Sequence, residues 1–528
     1  MELSLISRNF CQLGMNHTNN NNNLMIISPS TTKLQMGSLQ ISKSSNLSVR
    51  VSAQSVSHSQ SAVPAKASQE HITISNHEDG VKLYVGLPMN SVTECNAINH
   101  SRAIAAGLKA LKLLGVEGVE LPIWWGVAEN ESIGNYNWLG YLTLVQMIQE
   151  SGLKLHVSLC FHGSKQDNIP LPSWVLKFGE YEPNIFFSDR AGKRYDECLS
   201  FGVDDLPVFD GKTAMQVYKG FIESFKTCFA PYMGSTITGV TIGMGPDGEL
   251  RYPSHNHQNK SKVGYGAGEF QCYDENMMRN LKQHAENLGN PNWGLGGPHD
   301  APSYNQQPIV DTFFEDNGSW ESPYGDFFLS WYSNQLVSHA DRMLSLAKSS
   351  FSDTTVMVSG KLPLIHSWYK SRSHPSEVTA GFYKTINRNG YEEIAKVFGE
   401  HSCRMILPGM DLLDEQQPNE LFSSPELLLA DITDSCRKHG VGICGQNLRV
   451  ADNVKSFEQI KKNLVGENGI DLFLYQRMGG DFFSPKTFAL FSAFVRSLKQ
   501  LELDSDDLGV NEQDALFVPG RNRTLQVV

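Results

Sequence analysis

The sequence predicts a (β/α)8 TIM barrel with long inserted loops, and three observations support that fold. Eight short β-rich runs alternate with stretches that have the apolar spacing of helices. The alternation covers about 420 residues, a length that barrels with large loops reach. The phosphate-binding loops typical of an open doubly wound sheet, which is the alternative fold, do not occur in the sequence. We therefore expect a closed barrel covered by helices.

The predicted strands are rich in Val, Ile, Leu and aromatic residues. In chain order they are Lys82–Pro88, Val116–Pro122, Leu153–His162, Ile237–Met244, Thr354–Lys361, Cys403–Met410, Gly440–Gly445 and Ile470–Met478. The stretch Ala97–Leu114 illustrates the helices between them, because its apolar residues recur every three or four positions. These elements place the barrel at residues 80–503.

Composition and charge exclude several classes of protein. The 528 residues include 44 Lys and Arg against 56 Asp and Glu, and this net charge of −12 argues against a broad nucleic-acid-binding surface. No apolar run reaches the roughly 18 residues needed to span a bilayer, so no membrane partner is expected. Nine cysteines occur without a C-x-x-C pair, and metal-ligand spacings are absent. We therefore expect neither a disulfide framework nor a metal.

The first 70 residues have a different composition from the rest of the chain. Between Ser4 and Gln69 there are fifteen serines, five basic residues and no acidic residue. This composition predicts a disordered plastid transit peptide, and hence a location in the chloroplast stroma. The alternative is a disordered tail with no targeting role. Residues 504–528 are also polar and are predicted to form a loose C-terminal tail.

Aromatic and polar side chains follow nearly every predicted strand. Examples are Trp124 and Trp125, His162, Glu249 and Arg477. In a barrel of this kind the loops after the strands form the active site. Aromatic rings can stack on the apolar faces of a sugar while amides and cations bind its hydroxyl groups. The pattern therefore indicates a carbohydrate site.

Several motifs resemble those of plant β-amylases of glycoside hydrolase family 14. They are G-P-D-G-E-L-R-Y-P-S at Gly245–Ser254, G-E-F-Q-C-Y at Gly268–Tyr273, G-V-E-L-P-I-W-W-G at Gly118–Gly126 and I-P-L-P-S-W at Ile169–Trp174. The resemblance runs from about Val81 to Leu498, roughly four-fifths of the chain. It implies a barrel that hydrolyses starch from its non-reducing ends, inverts the anomeric centre and releases β-maltose without a cofactor.

The resemblance also implies which residues would carry the reaction. Glu249 matches the family's general acid, while the position of its general base is occupied by Gln446. An inverting glycosidase needs both carboxyl groups, and an amide cannot take a proton from water. The positions that match the family's sugar-contacting residues are His162, Lys361, His366, Asn447 and Arg477.

Three further positions depart from the family. Pro122 replaces an aspartate that binds the terminal sugar, the loop Gly163–Asp167 is shorter than the family's glycine-rich lid, and Leu407–Gly409 lacks an assisting threonine. Asp411 or Glu415 could supply a substitute base. The resemblance is thus to an inactive, plastid-targeted member of the family.

Two functions follow from these residues. The first is a pseudoenzyme that binds α-1,4-glucan, maltose or a protein partner and modulates starch breakdown. The second is a slow but genuine β-amylase. If the retained residues only hold the barrel together, the protein binds no glucan and a protein partner is left as its role.

Overall fold

The computed structural model of the protein describes residues 80–255, 266–308, 313–465 and 469–506, with side chains to residue 499. Its strands are β1 (Lys82–Gly86), β2 (Gly118–Trp124), β3 (Lys154–Cys160), β4 (Phe186–Ser188), β5 (Arg194–Leu199), β6 (Ile237–Ile242), β7 (Met357–Lys361), β8 (Arg404–Leu407), β9 (Ile443–Gln446) and β10 (Leu472–Tyr475). All eight predicted strands are present, and β4 and β5 are additional.

The α-helices lie between these strands. They are α1 (Ser101–Leu114), α2 (Trp125–Ala128), α3 (Leu139–Glu150), α4 (Ser173–Tyr181), α5 (Ala214–Cys228), α6 (Glu275–Asn287), α7 (Pro323–Phe351), α8 (Pro375–Thr379), α9 (Glu392–Glu400), α10 (Pro425–Lys438), α11 (Val454–Val465) and α12 (Pro485–Asp506). Helix α1 shows why they cover the barrel: Ile104, Leu108 and Leu111 fall on one face and are buried. Gly115 follows the last residue of the helix and has a φ of 87°, a left-handed conformation that glycine adopts without strain.

Eight of the strands form a closed parallel barrel, as the alternation predicts. Strands β1, β2, β3, β6, β7, β8, β9 and β10 are neighbours in that order, and β10 pairs with β1 to close the ring. All carboxyl ends therefore lie on one face of the barrel, and the loops that follow the strands meet there.

Strand β2 differs from its predicted bounds. The prediction ends it at Pro122, whereas the ladder continues past Pro122, opposite Ser158, to Trp124, opposite Cys160. Proline removes only one backbone donor, and the flanking pairs with β3 are enough to keep the strand in register. The extension carries Trp124 into the barrel end where ligands bind.

The interior of the barrel contains a layer of polar side chains. Nε2 of His156 lies 2.7 Å from Oγ1 of Thr241, which lies 2.9 Å from Oγ of Ser359. Branched apolar residues usually fill this position in such barrels. Here the hydroxyl of Thr241 contacts the imidazole, and the hydroxyl of Ser158, two residues along β3, donates to the carboxylate of Glu120.

The loop after β3 contains an antiparallel hairpin of β4 and β5, which the sequence analysis did not predict. The N–H of Gly163 donates to the carbonyl of Glu197 at 2.6 Å, and the N–H of Lys165 donates to its carboxylate at 2.8 Å. Ser164 pairs with Ile169. The short segment 163–169 is thus anchored to β5 beside the barrel mouth.

Two predicted segments fall largely outside the described residues. The predicted transit segment 1–70 lies wholly outside them. Helix α12 continues to Asp506, three residues into the predicted C-terminal tail. Within the described parts of the chain, none of the helices combines the length and the apolar character needed to cross a membrane.

Candidate functional site

A cavity of about 380 Å³ opens at the carboxyl ends of the barrel strands. Its volume is near the lower end of the range for small-molecule sites. The polar and charged side chains that line it are Glu120, Ser158, His162, Ser164, Gln166, Asp167, Thr241, Asp247, Lys361, Gln446, Gln476 and Arg477. Trp124 and Pro122 are among the apolar ones. This is the combination of rings and hydrogen-bonding groups that sugars require.

Four of the seven predicted site residues reach this cavity. They are His162, Lys361, Gln446 and Arg477. Lys361 is the last residue of β7 and Gln446 the last of β9, while His162 and Arg477 lie two residues beyond β3 and β10. The end of each strand therefore fixes the position of one functional side chain.

Glu249 lies immediately behind Lys361 and does not line the cavity among the described residues. Its Oε1 is 3.3 Å from Nζ of Lys361, and its Oε2 accepts a hydrogen bond of 2.9 Å from Nε of Arg251. Arg251 also binds Asp247 at 2.5 Å. A general acid must present a protonated oxygen to the glycosidic bond. In this arrangement each oxygen of Glu249 faces a cation.

His162 packs its ring edge-on against Trp124, with the ring centroids 5.1 Å apart. Burial lowers the pKa of His162 to about 4, so the imidazole is neutral at pH 7. Its Nδ1 is buried without a hydrogen-bond partner among the described residues. A Cβ on Gly248 would come within 3.2 Å of the ring, so glycine allows the close approach of that turn.

Gln446 presents its amide to the cavity. Its backbone carbonyl accepts a hydrogen bond of 3.0 Å from the N–H of Met410, which holds the end of β9 against the loop after β8. The side chain is only 6% exposed. The amide offers two donors and one acceptor oxygen to a ligand, but no basic oxygen for removing a proton from water.

Asn447 does not reach the cavity, in contrast to its predicted role in binding sugar. Its Oδ1 accepts from the N–H of Gln476 at 2.6 Å, and its Nδ2 donates to the carbonyls of Gln476 and Arg449 at 2.8 and 2.5 Å. The side chain is 1% exposed. It joins the carboxyl ends of β9 and β10 and thereby positions Gln446 and Arg477.

His366 is also turned away from the cavity. Its Nδ1 lies 2.6 Å from Oγ of Ser423, and its backbone carbonyl accepts a hydrogen bond from Ser424. Burial lowers the pKa of His366 to about 4. The loop after β7 directs the imidazole towards the segment before α10.

The carboxylates proposed as substitute bases lie outside the cavity among the described residues. Oδ1 of Asp411 accepts a hydrogen bond of 2.6 Å from the N–H of Leu448, and burial raises the pKa of Asp411. Glu415 is exposed and pairs with Lys455 at 2.9 Å. Neither could activate a water molecule beside Gln446 in this conformation.

Glu120 is the main site residue that the sequence analysis did not predict. It is 4% exposed and lines the cavity. The hydroxyl of Ser158 donates to its Oε1 at 2.7 Å, Gln476 donates to its Oε2 at 3.3 Å, and Nη1 of Arg477 lies 3.6 Å from the same oxygen. A signal was available, because a charged residue stands in an otherwise apolar strand with the same parity as Trp124.

The described residues contain no group of three or more His, Cys, Asp or Glu side chains that could hold a metal ion. The polar groups around the cavity instead pair with one another. Asp167 accepts a hydrogen bond from Ser164 at 2.7 Å, and Arg477 donates to the backbone carbonyl of Leu87. The site is thus an arrangement of hydrogen-bond donors and acceptors around a compact cavity.

Comparison with known proteins gives matches along most of the chain. The family model described as Glycosyl hydrolase family 14 matches residues 84–502. "Inactive beta-amylase 9" of Arabidopsis thaliana is 61% identical over 430 residues, which are 81% of this chain and 80% of that protein. "Beta-amylase 2, chloroplastic" of Oryza sativa subsp. japonica is 38% identical over 454 residues, or 84% and 82% of the two chains.

Among solved structures, the catalytic domain of β-amylase from Paenibacillus polymyxa has a TM-score of 0.66. It is 24% identical, and the match covers 79% of this chain and 98% of that one. This likeness concerns the barrel fold.

Proposed function

The chain belongs to glycosyl hydrolase family 14, and from that membership we propose that it is a β-amylase-like protein of starch metabolism that binds glucan or maltose without hydrolysing it. The single observation that carries this proposal is Gln446. The resemblance assigns that position to the general base, and the amide lines the cavity where the base would act.

The loss of the base is severe because inversion has no alternative route. Water must attack the anomeric carbon in the same step in which the leaving oxygen is protonated, and no covalent intermediate can divide the reaction. Loss of a positioned general base lowers the rate typically by about 10²–10⁴-fold.

Sugar binding does not require the general base, and the side chains that line the cavity favour it. His162, Lys361 and Arg477 remain at its wall, and Gln446 adds an amide that can donate and accept hydrogen bonds. Trp124 offers an aromatic edge. These groups suit the hydroxyl groups of a non-reducing glucan end or of free maltose.

The proposed location is the plastid. The serine-rich, acid-free composition of residues 4–69 supports it. The similar rice protein is also named as a chloroplastic β-amylase. A glucan-binding protein in that compartment would meet starch and its breakdown products.

The decisive experiment is maltose release from soluble starch by the protein from Ala53 onwards, beside an active plant β-amylase at equal concentration. We expect a rate at background. A rate within about a hundredfold of the active enzyme would overturn the loss of catalysis. In that case the slow β-amylase is the better description, and Glu249→Gln should abolish its activity.

Isothermal titration with maltose and maltotetraose tests the binding half of the proposal. We expect heat of binding with at least one of these sugars. Absence of heat with both, together with unchanged amide chemical shifts, would leave only interaction with another protein as a role.

A further inference from the structure

Glu120 and Pro122 occupy successive positions on the face of β2 that points into the barrel, because alternate residues of a strand share a face. Both line the cavity. Pro122 has no polar side-chain atom, so this position of β2 contributes no hydrogen-bond acceptor to the cavity. Glu120 supplies a carboxylate one pleat deeper.

The surroundings of Glu120 orient its carboxylate without using up its capacity to accept hydrogen bonds. Ser158 donates to Oε1 at 2.7 Å and Gln476 donates to Oε2 at 3.3 Å, with Arg477 3.6 Å from Oε2. An ionised carboxylate has about four lone-pair sites. Capacity therefore remains for at least one hydroxyl group of a ligand.

The backbone opposite Glu120 leaves space for its carboxylate. A Cβ on Gly86, its register partner on β1, would lie 3.0 Å from Oε2 of Glu120 and 3.1 Å from Nε2 of Gln476. Any larger residue at position 86 would crowd the contact between these two side chains. Glycine leaves them room to meet at the base of the cavity.

We propose that Glu120 accepts hydrogen bonds from the hydroxyl groups of a sugar of one or two rings in this cavity, in place of the acceptor that Pro122 cannot provide. The proposal rests on the sugar-binding function proposed above and names the residue that would determine specificity. The cavity volume of about 380 Å³ lies within the range of roughly 300–1,000 Å³ for small-molecule sites, and near its lower end, which suits a sugar of this size.

The test is titration of maltose into the wild type, Glu120→Gln and the control Glu223→Gln. The control makes the same change of charge at an exposed residue paired with Lys219. We expect Glu120→Gln to weaken binding by about 10- to 100-fold, the effect of losing a hydrogen bond to a charged group. We expect the control to bind like the wild type. Unchanged binding by Glu120→Gln would overturn the proposal.

A panel of monodeoxy maltoses separates direct contact from a structural effect. If Glu120 binds one hydroxyl group, the sugar that lacks this group should bind the wild type and Glu120→Gln equally well, while the other sugars distinguish them. An equal loss for every analogue would mean that Glu120 only supports the cavity, and would overturn the proposal.

Glu120→Asp keeps the charge and provides a second test if Glu120→Gln does not fold. Its shorter side chain should withdraw the carboxylate from the sugar and weaken binding, and wild-type affinity would overturn the proposal. If the wild type itself does not bind maltose, the proposed sugar-binding function is wrong. If the wild type binds maltose and the Glu120 variants bind it equally well, only the role of Glu120 is wrong.

Discussion

At position 446 the side chain ends in an amide, and the barrel holds it in the wall of the cavity, at the position that we propose for water activation. The backbone of Gln446 is fixed by Met410, and its neighbour Asn447 is fixed by three hydrogen bonds. A glutamate at this position would therefore have nearly the same location. Its surroundings would still lack the acceptor replaced by Pro122 and the threonine replaced in Leu407–Gly409.

Gln446→Glu should accordingly restore little activity. We expect maltose release to stay at least about a hundredfold below that of an active plant β-amylase, because Pro122, the short loop Gly163–Asp167 and Leu407–Gly409 still depart from the family. The assay is maltose release from soluble starch, with Gln446→Ala as the matched control. Full turnover by Gln446→Glu would show that the rest of the site is intact.

His162 should make folding stability depend on pH. Its pKa in the folded state is about 4, below the ordinary value of about 6.5. As the pH falls below 6.5 the unfolded chain takes up a proton that the folded protein resists, so stability is present above pH 6.5 and is lost towards pH 4. Between pH 7.5 and 5 this group accounts for on the order of 2 kcal/mol.

The measurement is denaturant unfolding of the wild type and His162→Gln at both pH values. The comparison must be between the two proteins, because burial raises the pKa of Glu129 to about 7 and gives it the opposite effect. We expect the variant to lose less stability on acidification than the wild type. The same loss in both proteins would mean that His162 is not the group that titrates.

The elements of the barrel were predictable because their signal is local. Strand runs and helical spacing repeat along the chain, and the number of repeats favours closure. The hairpin of β4 and β5 escaped prediction because β4 has only three residues and β5 carries the charged side chains of Arg194, Asp196 and Glu197 instead of an apolar run. Strand ends located His162 and Lys361 correctly for the same local reason.

Side-chain direction is the property that the sequence does not determine. His366 and Asn447 match positions in sequence motifs, but the direction of each side chain depends on partners distant in the chain, namely Ser423 and Gln476. Glu120 lies four residues before Trp124 on the same strand, so strand alternation alone predicts that the two side chains share a face. The structure shows that Glu120 and Pro122 both line the cavity.

The side chain of Asn447 should hold the carboxyl ends of β9 and β10 together and so stabilise the fold. In Asn447→Ala the N–H and carbonyl of Gln476 and the carbonyl of Arg449 lose buried partners. We expect a loss of roughly 2–4 kcal/mol in the free energy of unfolding. Denaturant unfolding measures it, with the exposed Asn290→Ala as control, expected within about 0.5 kcal/mol of the wild type. Equal stability of both variants would contradict this role of Asn447.

At the scale of the whole chain, two regions of contrasting composition suggest separate tasks. The N-terminal 70 residues carry basic and hydroxyl groups almost without acid, whereas the whole chain has a net charge of −12. The barrel therefore carries the acidic excess. Such a division is typical of a targeting segment followed by a mature protein.

Residues 1–70 fused to a fluorescent protein should direct it into chloroplasts, because acid-poor, serine-rich segments are read by the plastid import system. Fluorescence microscopy of leaf protoplasts is the measurement, with a fusion to residues 80–149 as a control of matched length. Cytosolic fluorescence from the first fusion would contradict the plastid location, while leaving the cavity and its proposed ligand unaffected.

The contact between Trp124 and His162 has a practical consequence. The chain has eight tryptophans, and Trp124 is the one in the described wall of the cavity, where its indole N–H donates to the carbonyl of Met89 at 2.8 Å. A molecule entering the cavity would change the polarity of the surroundings of this indole, whereas the other seven do not line the described part of the cavity. The intrinsic ultraviolet emission of the protein should therefore report occupancy directly, without an attached dye.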